Sequence, residues 1–168
     1  MAKKIVTLFI RDTSLNLLVM KGKRVEKWAS LPLEPGLVSQ GLIVDEAQGA
    51  DRVKELFKLE KVGRRKVIAG LSGLNSLYRV ITLPRLPEAM LPEAIKREAS
   101  RAIPVPLDEV YLSYQLIPAS GEETRVFLTT FPRNIADALL RTLRQAGIEP
   151  HIMDLAPLAL CRIPDEPR

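Results

Sequence analysis

Few residues in this chain could do chemistry. Cys161 and His151 are the only cysteine and the only histidine. A thiol nucleophile needs a base within hydrogen-bond reach, and these two stand ten positions apart with no glycine-rich or polar setting around either. One histidine cannot head a multi-ligand metal site, and one cysteine cannot close an internal disulfide. His151, after Pro150 at the start of a strand, reads as a partly exposed imidazole. Gly70-Leu-Ser-Gly73 places a hydroxyl between two glycines. The spacing matches neither the dinucleotide fingerprint nor the P-loop, so a bend at a strand end explains it. Glu98 stands out because it falls on the apolar stripe of a helix. A bare buried carboxylate is prohibitive, so Glu98 is expected to pair, with Arg101 one turn on or with Arg79 on the preceding strand; a contact to a partner is the alternative. No second convergent carboxylate or nucleophile supports acid–base work.

The elements that carry these residues read as follows. Strands over 5–10, 15–20 and 24–31 form a meander, with the polar turn Arg11-Asp-Thr-Ser14 between the first two. A loop follows over 32–36, and Val38, Gly41 and Ile43 lead to Asp45. Asp45-x-x-Gln48 has capping-box spacing and opens a helix whose stripe is Ala50, Val53, Leu56 and Phe57, stopped by Gly63. Strands follow over 66–72 and 77–83. A helix opens at Pro87-Glu88 with the stripe Leu91, Ala94, Ile95, Glu98 and Ala102, and Ile103-Pro-Val-Pro106 ends it. Strands over 108–115 and 125–130 come next. Ile135, Ala138, Leu139, Leu143 and Ala146 then mark the clearest amphipathic helix, ended by Gly147. A strand over 150–155 and a short helix from Pro157 complete the pattern. The class is α/β, with a small α+β insert over 74–131, a main unit of 1–73 plus 132–163, and an unstructured tail over 164–168.

Of the 168 residues, 46% are hydrophobic and 27% charged, enough apolar surface for a core and too much for disorder. No apolar run reaches the length of a membrane span, and the start is a strand pattern rather than a signal peptide. The charge is uneven: residues 1–66 hold 14 Lys/Arg against 8 Asp/Glu, and residues 67–168 hold 11 against 12. A basic first third suits nucleic acid or an anionic membrane. The cations sit at turns and strand edges without interleaved aromatics, so a solvated face is the simpler reading.

Specific strings carry a resemblance. Leu33-Glu-Pro-Gly-Leu-Val-Ser-Gln-Gly-Leu-Ile-Val-Asp45, Pro84-Arg-Leu-Pro87, Ala94-Ile-Lys-Arg-Glu-Ala99, Ile103-Pro-Val-Pro-Leu-Asp-Glu-Val110, and Ala146-Gly-Ile-Glu-Pro150 through Asp154-Leu-Ala-Pro-Leu-Ala159 occur in order. They resemble the PilM family of type IV pilus assembly, whose insert is of the 1C type also found in FtsA. The resemblance implies the first half of an actin-like (ribonuclease H-like) fold with a strand–helix–strand–strand insert. It implies a cytoplasmic, non-enzymatic scaffold peripheral to the inner membrane of a pilus or secretion system. The implied partner is a short N-terminal segment of a PilN-like membrane protein. That segment is received in a groove to which Leu86, Met90, Leu107 and Val110 are candidates, although these residues would equally serve to pack the subdomains together. Self-association through the insert is also implied, nucleic acid is not, and the membrane is reached only through partners.

The resemblance fails at one turn. Actin-like ATPases place Asp-x-Gly-Thr/Ser between their first strands, where backbone N–H groups meet phosphate. Here Ile10 stands at the Asp and Asp12 at the Gly, which puts a negative charge where phosphate should sit. Thr13 and Ser14 are left as phosphate hydroxyls, and turn formation explains them equally. The second phosphate loop and adenosine pocket belong to the family's second half. The expectation is therefore no catalytic residues, no metal and no cofactor, with ATP bound only if a second lobe completes the site. A nucleotide-binding half-protein and a basic nucleic-acid or membrane-surface module are the alternative readings.

Overall fold

The computed structural model describes residues 4–119 and 121–162. It divides into two units, 1–74 with 135–168, and 75–134. The expected tail over 164–168 lies outside the described residues.

The first unit is built on a five-stranded sheet. β1 (Lys4–Ile10), β2 (Ser14–Lys21) and β3 (Arg24–Pro32) form the antiparallel meander; β6 (Val67–Leu71) pairs parallel to β1, and β10 (Pro150–Leu155) parallel to β6. The order is β10-β6-β1-β2-β3. Registers Val6↔Val19 and Leu8↔Leu17 put Val6, Leu8 and Ile10 on one face with Leu15, Leu17 and Val19, all buried. This follows from the period of two along a strand. α1 (Glu46–Leu59) and α3 (Arg133–Gln145) bury Val53, Leu56 and Phe57 and Ile135, Leu139 and Leu143 respectively. They approach so closely that a Cβ on Gly49 would lie 3.2 Å from the Thr142 methyl. The other sheet face stays open: Leu18 and Trp28, opposite one another on β2 and β3, are exposed, Trp28 to 76%.

After the expected loop over 32–36, the residues leading to Asp45 contain a small hairpin, β4 (Val38–Ser39) with β5 (Leu42–Ile43). Asp45 caps α1, its Oδ1 accepting the Gln48 N–H at 2.9 Å. The helix stops before Gly63. Val62 N–H donates to Phe57 C=O and Lys61 N–H to Lys58 C=O, a Schellman closure with Lys61 at φ 53° in the left-handed position. α3 ends with the same pair of bonds, Ile148 to Leu143 and Gly147 to Arg144, and there the left-handed residue is Gly147 at φ 74°.

The second unit is a three-stranded antiparallel sheet, β7 (Leu77–Pro84), β9 (Glu123–Pro132) and β8 (Val110–Ile117) in that order, with one helix. A 3-10 turn over Glu88–Met90 precedes α2 (Leu91–Ala102). The core holds Ile81, Leu83, Leu91, Ile95, Ala99, Ile103, Val126 and Leu128. Ala99, not Glu98, completes the buried stripe of α2; Glu98 sits at its edge and pairs with Arg101 at 3.3 Å. Arg79 instead donates to the Tyr78 carbonyl.

Two tests follow from these contacts. An L-residue in the left-handed region is disfavoured by roughly 1–2 kcal/mol, partly offset by the unfolded-state freedom of glycine. Lys61→Gly should therefore raise stability in urea unfolding by about 0.5–1 kcal/mol, and Gly147→Ala should lower it by about 1 kcal/mol. The second concerns Glu46, whose carboxylate accepts from Arg141 Nε at 3.0 Å and Nη2 at 2.6 Å. These hydrogen bonds, and secondarily the guanidinium charge, hold the carboxyl below its ordinary value against desolvation. The stabilisation is present above the ordinary carboxylate range and lost as pH falls through the lowered value. The stability gap between wild type and Arg141→Gln should thus narrow on acidification.

Candidate functional site

The carboxyl ends of β1 and β6 lie side by side, where ligands of open α/β sheets bind. A cleft of about 260 Å³ opens there, lined by Phe9, Arg11, Asp12, Thr13, Ser72 and Leu74. The turn is closed by Arg11 N–H donating to Ser14 C=O at 2.9 Å. Thr13 lines the cleft and its backbone carbonyl accepts from Leu33 N–H at 3.0 Å. Ser14 does not join it: its Oγ accepts from the Asn16 amide at 3.2 Å. Phe9 covers Gly70 so closely that a Cβ would lie 2.7 Å from the ring.

Asp12 makes contacts that the sequence did not indicate. Its Oδ2 accepts the Gln40 N–H at 2.9 Å and its Oδ1 the Gly41 N–H at 3.0 Å. Gln40 and Gly41, at φ 50° and 82°, are the central residues of the β4–β5 hairpin, a type I′ turn. Consecutive N–H groups of such a turn form an anion-binding concavity, and here the anion is the protein's own carboxylate. The cleft thus holds one guanidinium, two hydroxyls and a carboxylate already engaged by backbone. The Gln-Gly pair between Val38-Ser39 and Leu42-Ile43 was the available signal for the hairpin. Nothing local indicated that Asp12 would reach it.

A second cavity, about 450 Å³, lies in the second unit, where Leu77, Val105, Val110 and Pro132 give apolar walls and Glu109 and Arg133 add polar groups. The Arg133 N–H donates to Glu109 C=O at 2.9 Å, and its guanidinium lies 4.3 Å from the Tyr111 ring centroid. Of the four candidate partner residues, Val110 lines this groove and is 5% exposed. Leu86 and Leu107 pack half-buried on the unit's core, and Met90 stands 56% exposed on the 3-10 turn. Val105, between Pro104 and Pro106, was the local clue to this wall. His151 and Cys161 are both exposed. Among the described residues no cluster of three His, Cys, Asp or Glu could hold a metal, and no helix is long and apolar enough to cross a membrane.

The Asp12 latch predicts a defined loss. Hydrogen bonds to a charged acceptor contribute about 1.5–3 kcal/mol when shielded and less when exposed, so Asp12→Ala should destabilise by about 1 kcal/mol. The amides of Gln40 and Gly41 should exchange faster in that variant, with α2 amides unchanged.

Comparison with known proteins fits this geometry. The family model for type IV pilus assembly protein PilM matches residues 10–165. A chain from a PilM–PilN type IV pilus biogenesis complex superposes with a TM-score of 0.81 at 31% identity, covering 92% of this chain and 48% of that one. The cytoplasmic domain of EpsL, an inner-membrane component of the type II secretion system of Vibrio cholerae, gives 0.65 at 12% identity over 97% of this chain and 61% of that domain. The ethanolamine utilization protein EutJ from Carboxydothermus hydrogenoformans gives 0.50 at 16%, covering 95% and 39%. The present chain therefore spans about half the length of the pilus relative it matches. With its mixed sheet in the order β10-β6-β1-β2-β3 the fold is actin-like, and the chain belongs to the PilM family of type IV pilus assembly proteins.

Proposed function

We propose that this chain is a type IV pilus assembly component that binds a PilN-like membrane protein through a short N-terminal segment of that protein. The match to a chain of a PilM–PilN complex, at 31% identity, carries the reading. The groove of the second unit supports it, because an apolar wall beside polar groups suits a short peptide. In this reading Val105, Val110 and Leu77 receive the peptide's apolar side chains, and Arg133, held over Tyr111, meets its polar groups. The chain acts as a scaffold on the cytoplasmic side rather than as an enzyme. Asp12 favours that view, since its carboxylate, held by the Gln40 and Gly41 N–H groups, places a negative charge at the turn where a phosphate would sit. ATP binding then requires a second lobe.

The test is calorimetric titration with a peptide copied from the N-terminus of the PilN-like protein. Saturable micromolar binding is expected. Val105→Asp, which inserts a charge into the groove wall, should weaken it at least about tenfold with the circular dichroism spectrum unchanged. Met90→Asp, outside the groove, should leave affinity within about twofold. Absence of saturable binding would sink the reading.

A further inference from the structure

We propose that the end of the first unit where its parallel strands begin is a docking face for anionic lipid headgroups at a bilayer surface. Topology gathers the cations there from three segments. The β2–β3 turn carries Lys21, Lys23 and Arg24, and Lys21 pairs across to Lys4 at the start of β1. The end of α1 carries Lys58 and Lys61. That end is pinned beside β3, because Lys27 Nζ reaches the Glu60 carbonyl at 2.6 Å and its carboxylate at 3.2 Å. The loop Arg64-Arg-Lys66 leads into β6, whose Val67 lies opposite Val6. All the cations of the three segments are exposed.

The acids at this end are already engaged. Glu26 pairs with Lys4 at 2.8 Å, Glu60 with Lys27, and Glu149 with Arg144 at 2.9 Å. Among the described residues no ion pair engages the cations of the turn, the helix end or the loop. The helix C-termini favour cations near Lys58 and Lys61, but that account does not reach the turn or Lys66.

The backbone supplies an independent observation. Among the described residues, three non-glycine residues hold a left-handed conformation, and two of them, Lys61 at φ 53° and Lys66 at φ 57°, are lysines of this end. Glycine would be less strained at both, so charge is kept there against local conformational preference.

Exposed apolar side chains complete the surface. Leu59 is 62% and Val25 58% exposed, each beside cations of this end. Apolar side chains within a cationic rim suit the boundary between headgroups and acyl chains. A single-stranded nucleic acid would instead require aromatics along a basic groove; these cations stand on a turn, a helix end and a loop. The contact is independent of the peptide groove on the second unit, and its test involves no PilN-like protein.

Co-sedimentation with vesicles of phosphatidylcholine, with and without phosphatidylglycerol, decides the matter. Binding should require phosphatidylglycerol and fall at least about tenfold in high salt, which screens exposed charges. Lys23→Glu with Arg24→Glu should abolish at least about nine-tenths of it, whereas Lys96→Glu with Arg97→Glu on α2, an equal charge change elsewhere, should leave it within about twofold. Lys61→Gly with Lys66→Gly should weaken binding by about threefold or more while the melting temperature holds or rises, a divergence that a merely structural role would not give. No binding to phosphatidylglycerol vesicles, equal binding to phosphatidylcholine alone, or an equal loss in the α2 control would overturn the proposal. Tighter binding to a duplex DNA fragment in the same buffer would overturn it in favour of nucleic acid.

Discussion

Parallel pairing of β1 with β6, and of β6 with β10, is the constraint on which the first unit depends. Parallel strands all start at one end and stop at the other, so the connections between them divide into two unlike sets. The stopping end receives the Arg11–Ser14 turn and the cleft beside it. The starting end receives the β2–β3 turn, the end of α1 and the loop into β6, and with them the exposed cations Lys21, Lys23, Arg24, Lys58, Lys61 and Arg64-Arg-Lys66. Neither set is adjacent in sequence. One sheet therefore carries two surfaces of different chemistry, with the helices α1 and α3 committed to one face between them.

At the stopping end, the turn after β1 is tied to a distant hairpin by one carboxylate. The carboxylate of Asp12 fills the concavity made by the Gln40 and Gly41 N–H groups, and so ties the hairpin β4–β5 to the end of β1. A carboxylate in that place both satisfies the donors and repels an incoming anion. The residue that puts a negative charge at this turn is also the one that fastens the loop.

The second unit has its own core, with α2 laid on a three-stranded sheet and Ile95, Ala99 and Val126 at its centre. Its groove is formed by residues distant in the chain, Val105 before β8 and Arg133 after β9, brought together because β8 and β9 pair Val110 with Pro132. Membership of the PilM family and this groove together motivate the proposed role in holding a partner. The cationic end of the first unit is the surface proposed for anionic lipid.

Much of this was written in local patterns. Alternation fixed β1 and β2, helical spacing fixed α1 and α3, Asp45 announced its helix, and the Pro-flanked strings of the insert announced the family, because each signal acts within a few residues. Where two local signals competed, sequence reading chose wrongly. Gly63 looked like the stop of α1, yet Lys61 closes it, since the end of a helix is set by where its carbonyls find N–H partners and not by the nearest glycine. Glu98 shared a stripe with Ile95 by spacing alone, and packing on the sheet rotated Ala99 inward in its place. Only the tertiary structure revealed that Asp12 meets residues 28 and 29 positions away, and that cations from three segments share one end. Strand pairing and loop closure bring such groups together, and a linear sequence carries the groups without their distances.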